Sequence, residues 1–275
     1  MSLQKSIAIA GAGLVGSLLA IYLKKRGYDV TVFERRNDMR KKGAEAGRSI
    51  NLALSNRGIR ALEEVGLADE LRQVAIPMHG RMMHDKQGNL SSFAYGKEGQ
   101  FINSVSRSGL NVVLMNEAER LGVEFRFDQR IAKVDLETTS LHVTGYQLPA
   151  TGDWQPETFD YIIGADGAFS AVRGSFQFTD RFDYEQDYID HGYKELHIPP
   201  GANGSFQLEK NHLHIWPRES FMMIALPNPD GSFTCTLFFP FEGNPSFDSI
   251  KKKQDVEKFF SETFPDAKAL MPELL

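Results

Sequence analysis

Three glycines, Gly11, Gly13 and Gly16, and two acids, Glu34 and Asp166, are the residues whose types and spacing could do chemistry. Gly11-Ala-Gly13-Leu-Val-Gly16 has the spacing of a loop that brings backbone close to a phosphate. Gly11 permits a tight turn, Gly13 the close approach, and Gly16 the packing of a helix on its strand. The amides around Leu14 and Val15 would then meet phosphate oxygens at the positive end of that helix. Glu34 stands where an acid can hold ribose hydroxyls, which disfavours a 2′-phosphate there and leaves NAD or FAD. Arg35 and Arg36 have two readings: they reach the adenine or phosphates, or they are solvated charges at a loop start. The bland account of the glycines is that they only turn the chain.

These residues need elements to position them. Ser6–Ala10 reads as a short buried strand, Leu14–Arg26 as a helix stopped by Gly27, and Tyr28–Glu34 as a second strand, so the chain opens as a βαβ unit. Arg35–Gly47 reads as a loop, Ile50–Leu54 as an alternating run, and Gly58–Val65 as a helix with Ser55 as N-cap. Met78–Gly99 has hairpin features, and Gly109–Leu121 returns to a helix capped by Ser108 and ended by Gly122. Val123–Phe127, Ile131–Leu136 and Leu141–Tyr146 give a β-meander signal, and Phe159–Ala165 is another buried strand. Beyond Phe176 the pattern is extended, in Tyr193–Ile198, Ser205–Leu208, Leu213–Trp216, Phe221–Leu226 and Phe233–Phe239. Asp248–Phe264 reads as an amphipathic helix. The expected fold class is α/β, a Rossmann-like dinucleotide lobe with a β-meander (1–72 and 101–175) interleaved with a sheet lobe (73–100 and 176–275).

Composition narrows the partners. With 41% hydrophobic and 24% charged residues the chain is ordinary for a soluble globular protein. A net charge of −5 gives no reason to expect nucleic acid or an anionic membrane. The single Cys235 fits a reducing compartment, and the apolar runs break within about 10 residues, short of the roughly 20 a membrane span needs. The expectation is a cytoplasmic chain. His212 and His214 alternate like metal ligands, yet no further cluster completes a site, and none is expected.

Tyr161-Ile-Ile-Gly-Ala-Asp166-Gly167 running to Arg173, taken with the glycine loop and Glu34, resembles the aromatic hydroxylase class of FAD-dependent monooxygenases. The resemblance implies FAD as bound cofactor, with Asp166 near its pyrophosphate and near the groove used by the nicotinamide cofactor. Arg107 matches the class arginine that contacts FAD before the long helix. A DG turn ending a strand is also a common structural device.

A narrower resemblance, to the kynurenine-hydroxylating branch of that class, rests on several stretches. They are Gly47-Arg-Ser-Ile-Asn-Leu-Ala-Leu54, Gly80-Arg81-Met82, His191-Gly-Tyr-Lys-Glu-Leu196, Leu213-His-Ile-Trp-Pro217 and Ile224-Ala-Leu-Pro-Asn228, followed by Ser232-Phe-Thr234 and Thr236-Leu-Phe238. It implies that backbone near Ala53 and Ile131 also lines FAD, and that Arg81 and Tyr95 grip the carboxylate of L-kynurenine. A guanidinium fork and a phenol donor suit that task. Strand alternation puts Met222, Ile224 and Leu226 on one face, with Thr236 and Phe238 likewise on one face of the next strand. The resemblance adds Leu213 and Ile102 to the ring pocket. The implied reaction is hydroxylation to 3-hydroxy-L-kynurenine with NADPH and O2. The chemistry is carried by a flavin hydroperoxide, so no side chain is assigned as catalytic acid or base.

One part of the class pattern is not found. The second flavin motif, Gly-Asp followed by small residues, histidine and proline, has no match: Gly152-Asp153 is followed by Trp154-Gln155-Pro156. The C-terminal helical region of the class, with more substrate contacts and in some members a membrane anchor that would mean the mitochondrial outer membrane, is not found either. The expectation is an incomplete form that holds FAD weakly and turns over poorly. The competing readings are another FAD-dependent oxidoreductase of small aromatic substrates and a non-catalytic flavin-binding module.

Overall fold

The opening pattern forms as read. β1 (Ser6–Ala10) and β2 (Asp29–Phe33) are buried almost throughout, and α1 (Leu14–Lys25) between them stops before Gly27, whose φ of +87° is a left-handed turn. The structure is a computed structural model that describes residues 4–41, 51–97, 99–145 and 156–274. Next in chain order are β3 (Asn51–Leu54), α2 (Asn56–Glu64), α3 (Ala68–Val74), β4 (Ala75–Met78), β5 (Gly80–His84), β6 (Leu90–Ala94) and β7 (Ile102–Ser106). Then come α4 (Arg107–Arg120), β8 (Glu124–Arg126), β9 (Gln129–Asp135), β10 (Ser140–Gly145), β11 (Glu157–Thr158), β12 (Tyr161–Gly164) and α5 (Ala171–Phe176). The last described elements are β13 (His191–Ile198), β14 (His212–Arg218), β15 (Phe221–Pro227), β16 (Phe233–Pro240), α6 (Lys253–Thr263) and α7 (Pro265–Lys268).

The chain divides into two compact units, Met1–Arg48 with Ser108–Gln186 and Ser49–Arg107 with Asp187–Leu275. In the first, β12, β1, β2 and β8 form an all-parallel sheet, as the α/β reading requires. An antiparallel sheet of β9, β10 and β11 packs Ile131, Val134 and Leu141 against Ala8, Phe33 and Phe159. Val123–Phe127, read as part of the meander, instead supplies β8, which pairs parallel with β2. Alternation over so short a run cannot tell a meander strand from a sheet edge. The helix expected from Gly109 begins at Arg107, so Ser108 is inside α4 and is not its cap. Neither α3 nor α5, of 7 and 6 residues, is visible in the sequence, because a period needs more turns than that to show. Gly47–Ile50, Tyr146 and Gly152–Gln155 of the sequence reading lie outside the described residues.

In the second unit, β3, β7 and β4 form one antiparallel sheet, and β13-β16-β15-β14-β5-β6 a mixed one in which β5 runs parallel to β14. Side chains alternate along each strand, so the mixed sheet has two unlike faces. One is core: Trp216, Met223, Ala225, Cys235, Leu237 and Phe239 pack with Phe259, Phe260 and Phe264. Ser205–Leu208, read as a strand, joins no ladder; Phe206 and Leu208 pack against this core instead. The C-terminal helix begins at Lys253, later than the Asp248 expected.

A polar chain crosses the same core. His214 Nε2 donates to the Glu209 carbonyl at 2.8 Å, which leaves Nδ1 to accept from His84 Nε2 at 2.9 Å. His84 Nδ1 and Trp216 Nε1 both meet Asp266 Oδ2 at 2.8 Å, tying α7 to β5 and β14. His214 is therefore a hydrogen-bonded core residue with both ring nitrogens engaged. Burial, with the neighbouring His84 and His212 adding, pushes its pKa down to about 4 from 6.5. Burial raises the Asp266 carboxyl, but hydrogen bonds from His84 and Trp216 outweigh it and hold the group below its usual range. Both folded-state values lie below the unfolded ones, so the unfolded chain takes up protons first as pH falls. The His214 contribution is present above about pH 6.5 and lost toward pH 4, on the order of 3 kcal/mol. Urea melts between pH 7 and 4 should show the decline, with a shallower slope in His214→Gln.

Candidate functional site

The glycine loop sits at the carboxyl ends of β1 and β12, where open parallel sheets take ligands. A Cβ on Gly11, at φ +98°, would lie 2.6 Å from the Ala165 carbonyl oxygen, and one on Gly16 would lie 1.9 Å from the Gly11 carbonyl oxygen. Both glycines are thus demanded by the chain's own packing. Gly13 is different: a Cβ there meets nothing within 4 Å. Folding alone does not ask for glycine at that point, and a phosphate approaching the start of α1 does. Leu14 and Val15 open α1, and the Val15 side chain is 70% exposed.

Glu34 is buried at the end of β2. Its Oε2 accepts from the Ala12 amide at 3.0 Å, and its Oε1 accepts from the Arg36 amide and Nε, both at 3.0 Å. Carboxylate lone pairs remain for ribose hydroxyls. Arg36 is exposed, as the reading of a solvated charge at a loop start has it, and its Nε is also paired to the acid itself. Arg35 is exposed and borders a cavity of about 350 Å³ with Asp128, Arg130 and Thr144. Asn111 of α4, which the sequence reading passed over, donates Nδ2 to the Ala12 carbonyl at 2.9 Å. Its signal is a polar residue on the buried stripe 111, 114, 115, 118 of a helix.

Asp166 has a structural task as well. Its Oδ2 accepts from the Ala171 amide at 2.7 Å and the Val172 amide at 3.4 Å, tying the start of α5, while its Oδ1 is buried without a partner. Val15, Asp166, Gly167 and Arg173 border a cavity of about 470 Å³, which joins the start of α1 to the acidic turn in one concavity. The orphan oxygen, the open side of Gly13 and the acid at Glu34 make these residues a fit for a dinucleotide. Ile131 is a packed core side chain of the first unit, so only its backbone could line a ligand. Ala53, on β3, and Arg107, first in α4, are exposed and belong to the second unit.

The other face of the mixed sheet gathers the expected substrate residues. Met222 lies opposite Phe238, Ile224 opposite Thr236, and Leu213 opposite Arg81. None of them belongs to the core cluster beneath the sheet. Exposure is graded across this face, from Met222 at 41% to the buried Leu226 and Thr236. The Arg81 guanidinium lies 4.6 Å from the Tyr95 ring centroid and makes no ion pair among the described residues. Tyr95 Oη is buried and makes no hydrogen bond of full geometry; burial pushes the phenol up, with Arg81 opposing by weak hydrogen bonding and by its charge. A fork and a phenol, both short of anionic partners, suit a carboxylate. Ile102 lies apart from this face, opposite Met78 in the β3-β7-β4 sheet.

A family model described as FAD binding domain matches residues 4–222. The chain is 49% identical over 276 residues to the kynurenine 3-monooxygenase of Flavobacterium johnsoniae, covering 100% of this chain and 60% of that one. It is 50% identical to that of Myxococcus xanthus, covering 99% and 58%, and 46% identical to that of Sus scrofa, covering 96% and 55%. The chain thus spans at most 60% of the length of these curated relatives. Among solved structures it is similar to the tetrameric form of 2-methyl-3-hydroxypyridine-5-carboxylic acid oxygenase, with TM-score 0.76 at 22% identity, covering 99% of this chain and 68% of that one. Pseudomonas aeruginosa PqsL in complex with 2-aminobenzoylacetate follows at TM-score 0.71 and 18% identity, covering 97% and 70%. At those identities the likeness speaks for the fold alone.

Proposed function

We infer from the FAD binding domain family, to which this chain belongs over residues 4–222, that it takes part in hydroxylating L-kynurenine to 3-hydroxy-L-kynurenine with NADPH and O2. The observation that carries this reading is the outer face of the mixed sheet, where Arg81, Leu213, Met222, Ile224, Thr236 and Phe238 stand in register. The similarity to kynurenine 3-monooxygenases supports it. When bound, FAD supplies the redox chemistry, passing on nicotinamide electrons and activating O2.

The residues bind, orient and exclude water. Amides at Gly13, Leu14 and Val15 hold the pyrophosphate, Glu34 the ribose, and Asp166 caps the cavity beside them. Arg35, Ala53, Arg107 and the Ile131 backbone are proposed as further FAD contacts. Arg81 fixes the carboxylate of kynurenine with its fork, and the Tyr95 hydroxyl adds a donor. The ring then lies along β14 to β16, roughly 5 Å per strand from Arg81, on Leu213, Ile224, Leu226 and Thr236. Met222 and Phe238 complete the apolar lining, which keeps water from the reacting ring. In these terms 1–72 with 101–175 is the cofactor domain and 73–100 with 176–275 the substrate domain. A cytoplasmic place of action belongs to the same proposal, since that compartment supplies NADPH. Among the described residues no helix is long and apolar enough to cross a membrane.

Titrating L-kynurenine into the FAD-loaded chain while recording flavin absorbance tests the proposal. A saturable spectral change with kynurenine-stimulated NADPH oxidation is expected. FAD retained with no response to kynurenine would remove the substrate assignment and leave a flavin-binding module.

A further inference from the structure

One polar side chain beside the glycine loop has a bond left unmet. Asn111 is 7% exposed, and its Oδ1 is buried with no hydrogen-bond partner among the described residues. Leu114, Met115 and Ala118, on the same helical stripe, are ordinary core residues. A leucine at 111 would suit that stripe equally well, whereas a buried carbonyl oxygen without a donor carries a desolvation penalty.

Half of the side chain has an evident task. Nδ2 donates to the Ala12 carbonyl, which also accepts from Ser17 Oγ at 3.2 Å, while the Ala12 amide donates to Glu34. The residue between Gly11 and Gly13 is thereby held from α1, α4 and the end of β2 at once. The other half borders a cavity shared with Ala12, Glu34, Asn37 and Phe127. That cavity is about 30 Å³, room for one hydroxyl or one water and too small for a base or sugar ring. A hydroxyl there can donate to either acid or amide, because Glu34 and Asn111 Oδ1 both present acceptors. Arg36 lines the same cavity, and its backbone amide and Nε are both spent on Glu34 Oε1.

We propose that Asn111 is a positioning residue of the dinucleotide site: its Nδ2 fixes Ala12, and its Oδ1 accepts a hydrogen bond from a ribose hydroxyl of the adenosine half held at Glu34. The proposal rests on the FAD reading above and deepens it. Glu34 and Asn111 then act as a pair of acceptors on one diol, and Asn111 couples α4 to the glycine loop through a polar contact at its buried stripe. Asn111 has no part in the oxidation itself. It sets how firmly the adenosine end is held.

The test uses the 275-residue chain, with FAD binding followed by flavin fluorescence and with ADP and 2′,3′-dideoxy-ADP as competitors. Wild type is expected to prefer ADP roughly tenfold, and Asn111→Leu to shrink that preference about fivefold, as the hydroxyl loses one of two acceptors. A role confined to packing α4 would weaken both competitors alike and leave the preference unchanged, which would overturn the proposal. So would a wild-type chain that binds FAD and does not distinguish the two nucleotides. If Asn111→Leu does not fold, Asn111→Ala carries the same comparison. Failure of the wild-type chain to bind FAD at all would strike the functional reading rather than Asn111.

Discussion

Gly13→Ala is expected to fold normally and to lose FAD. At this position the added methyl meets no atom within 4 Å, and the backbone, at φ −75° and ψ −179°, is one that any residue adopts. Alanine is a poorer N-cap than glycine by about 0.5–1 kcal/mol, and the stiffer unfolded chain returns about 0.4–1 kcal/mol, so the two nearly cancel. The melting temperature should stay within about 3 °C of wild type. FAD affinity, by contrast, should fall roughly 100-fold, because the methyl occupies the side from which the pyrophosphate approaches the amides of Leu14 and Val15. Gly16→Ala is the control of opposite character. Its Cβ would lie 1.9 Å from a backbone oxygen that cannot rotate away, so stability itself should drop by about 3 kcal/mol or more. Thermal melts of the apo chains beside equilibrium FAD titrations separate the two. A Gly13→Ala chain that binds FAD as wild type does would remove the glycine loop from the cofactor site.

Arg81→Ala should weaken kynurenine binding by roughly 30- to 150-fold, about 2–3 kcal/mol, while leaving FAD affinity alone. The size follows from losing a charge-assisted, two-point bond to a carboxylate. Arg81→Lys should recover only part of the loss, since a point charge cannot reproduce the fork. The Arg81 stack on Tyr95, at 4.6 Å, means that the alanine variant also frees the phenol ring. Tyr95→Phe, which keeps the ring and deletes the hydroxyl, should therefore cost less, about tenfold. Flavin-monitored kynurenine titrations of the three variants give the order. Equal affinity in wild type and Arg81→Ala would move the carboxylate site elsewhere.

How much of this could be read from the sequence depends on whether the cause was local. Gly11 and Gly16 are legible because a left-handed φ and a 1.9 Å clash admit only one residue type. The floor of β15 and β16 is legible because alternation sorts residues by face. Asn111 leaves a faint trace, a polar residue inside an apolar stripe, and its partner at Ala12 leaves none. The contact between His84 and Asp266 spans 182 positions, and no window along the chain contains it. β8 was misassigned because three residues hold too little pattern to choose a sheet. Asp166 was legible as a turn, but its bonds to Ala171 and Val172 required α5, a helix too short to announce itself.

The two-faced sheet of the second unit restricts how such a protein can change over time. Along β15, Met222, Ile224 and Leu226 look one way while Met223 and Ala225 look the other. Inserting or deleting one residue within the strand would exchange floor for core in a single step, sending Met223 out and bringing Ile224 against Trp216 and Phe239. Length variation in this lineage should thus be confined to the connections between strands. Change on the outward face would have to arise by replacing one side chain at a time, each change small enough to leave the buried neighbours one position to either side undisturbed.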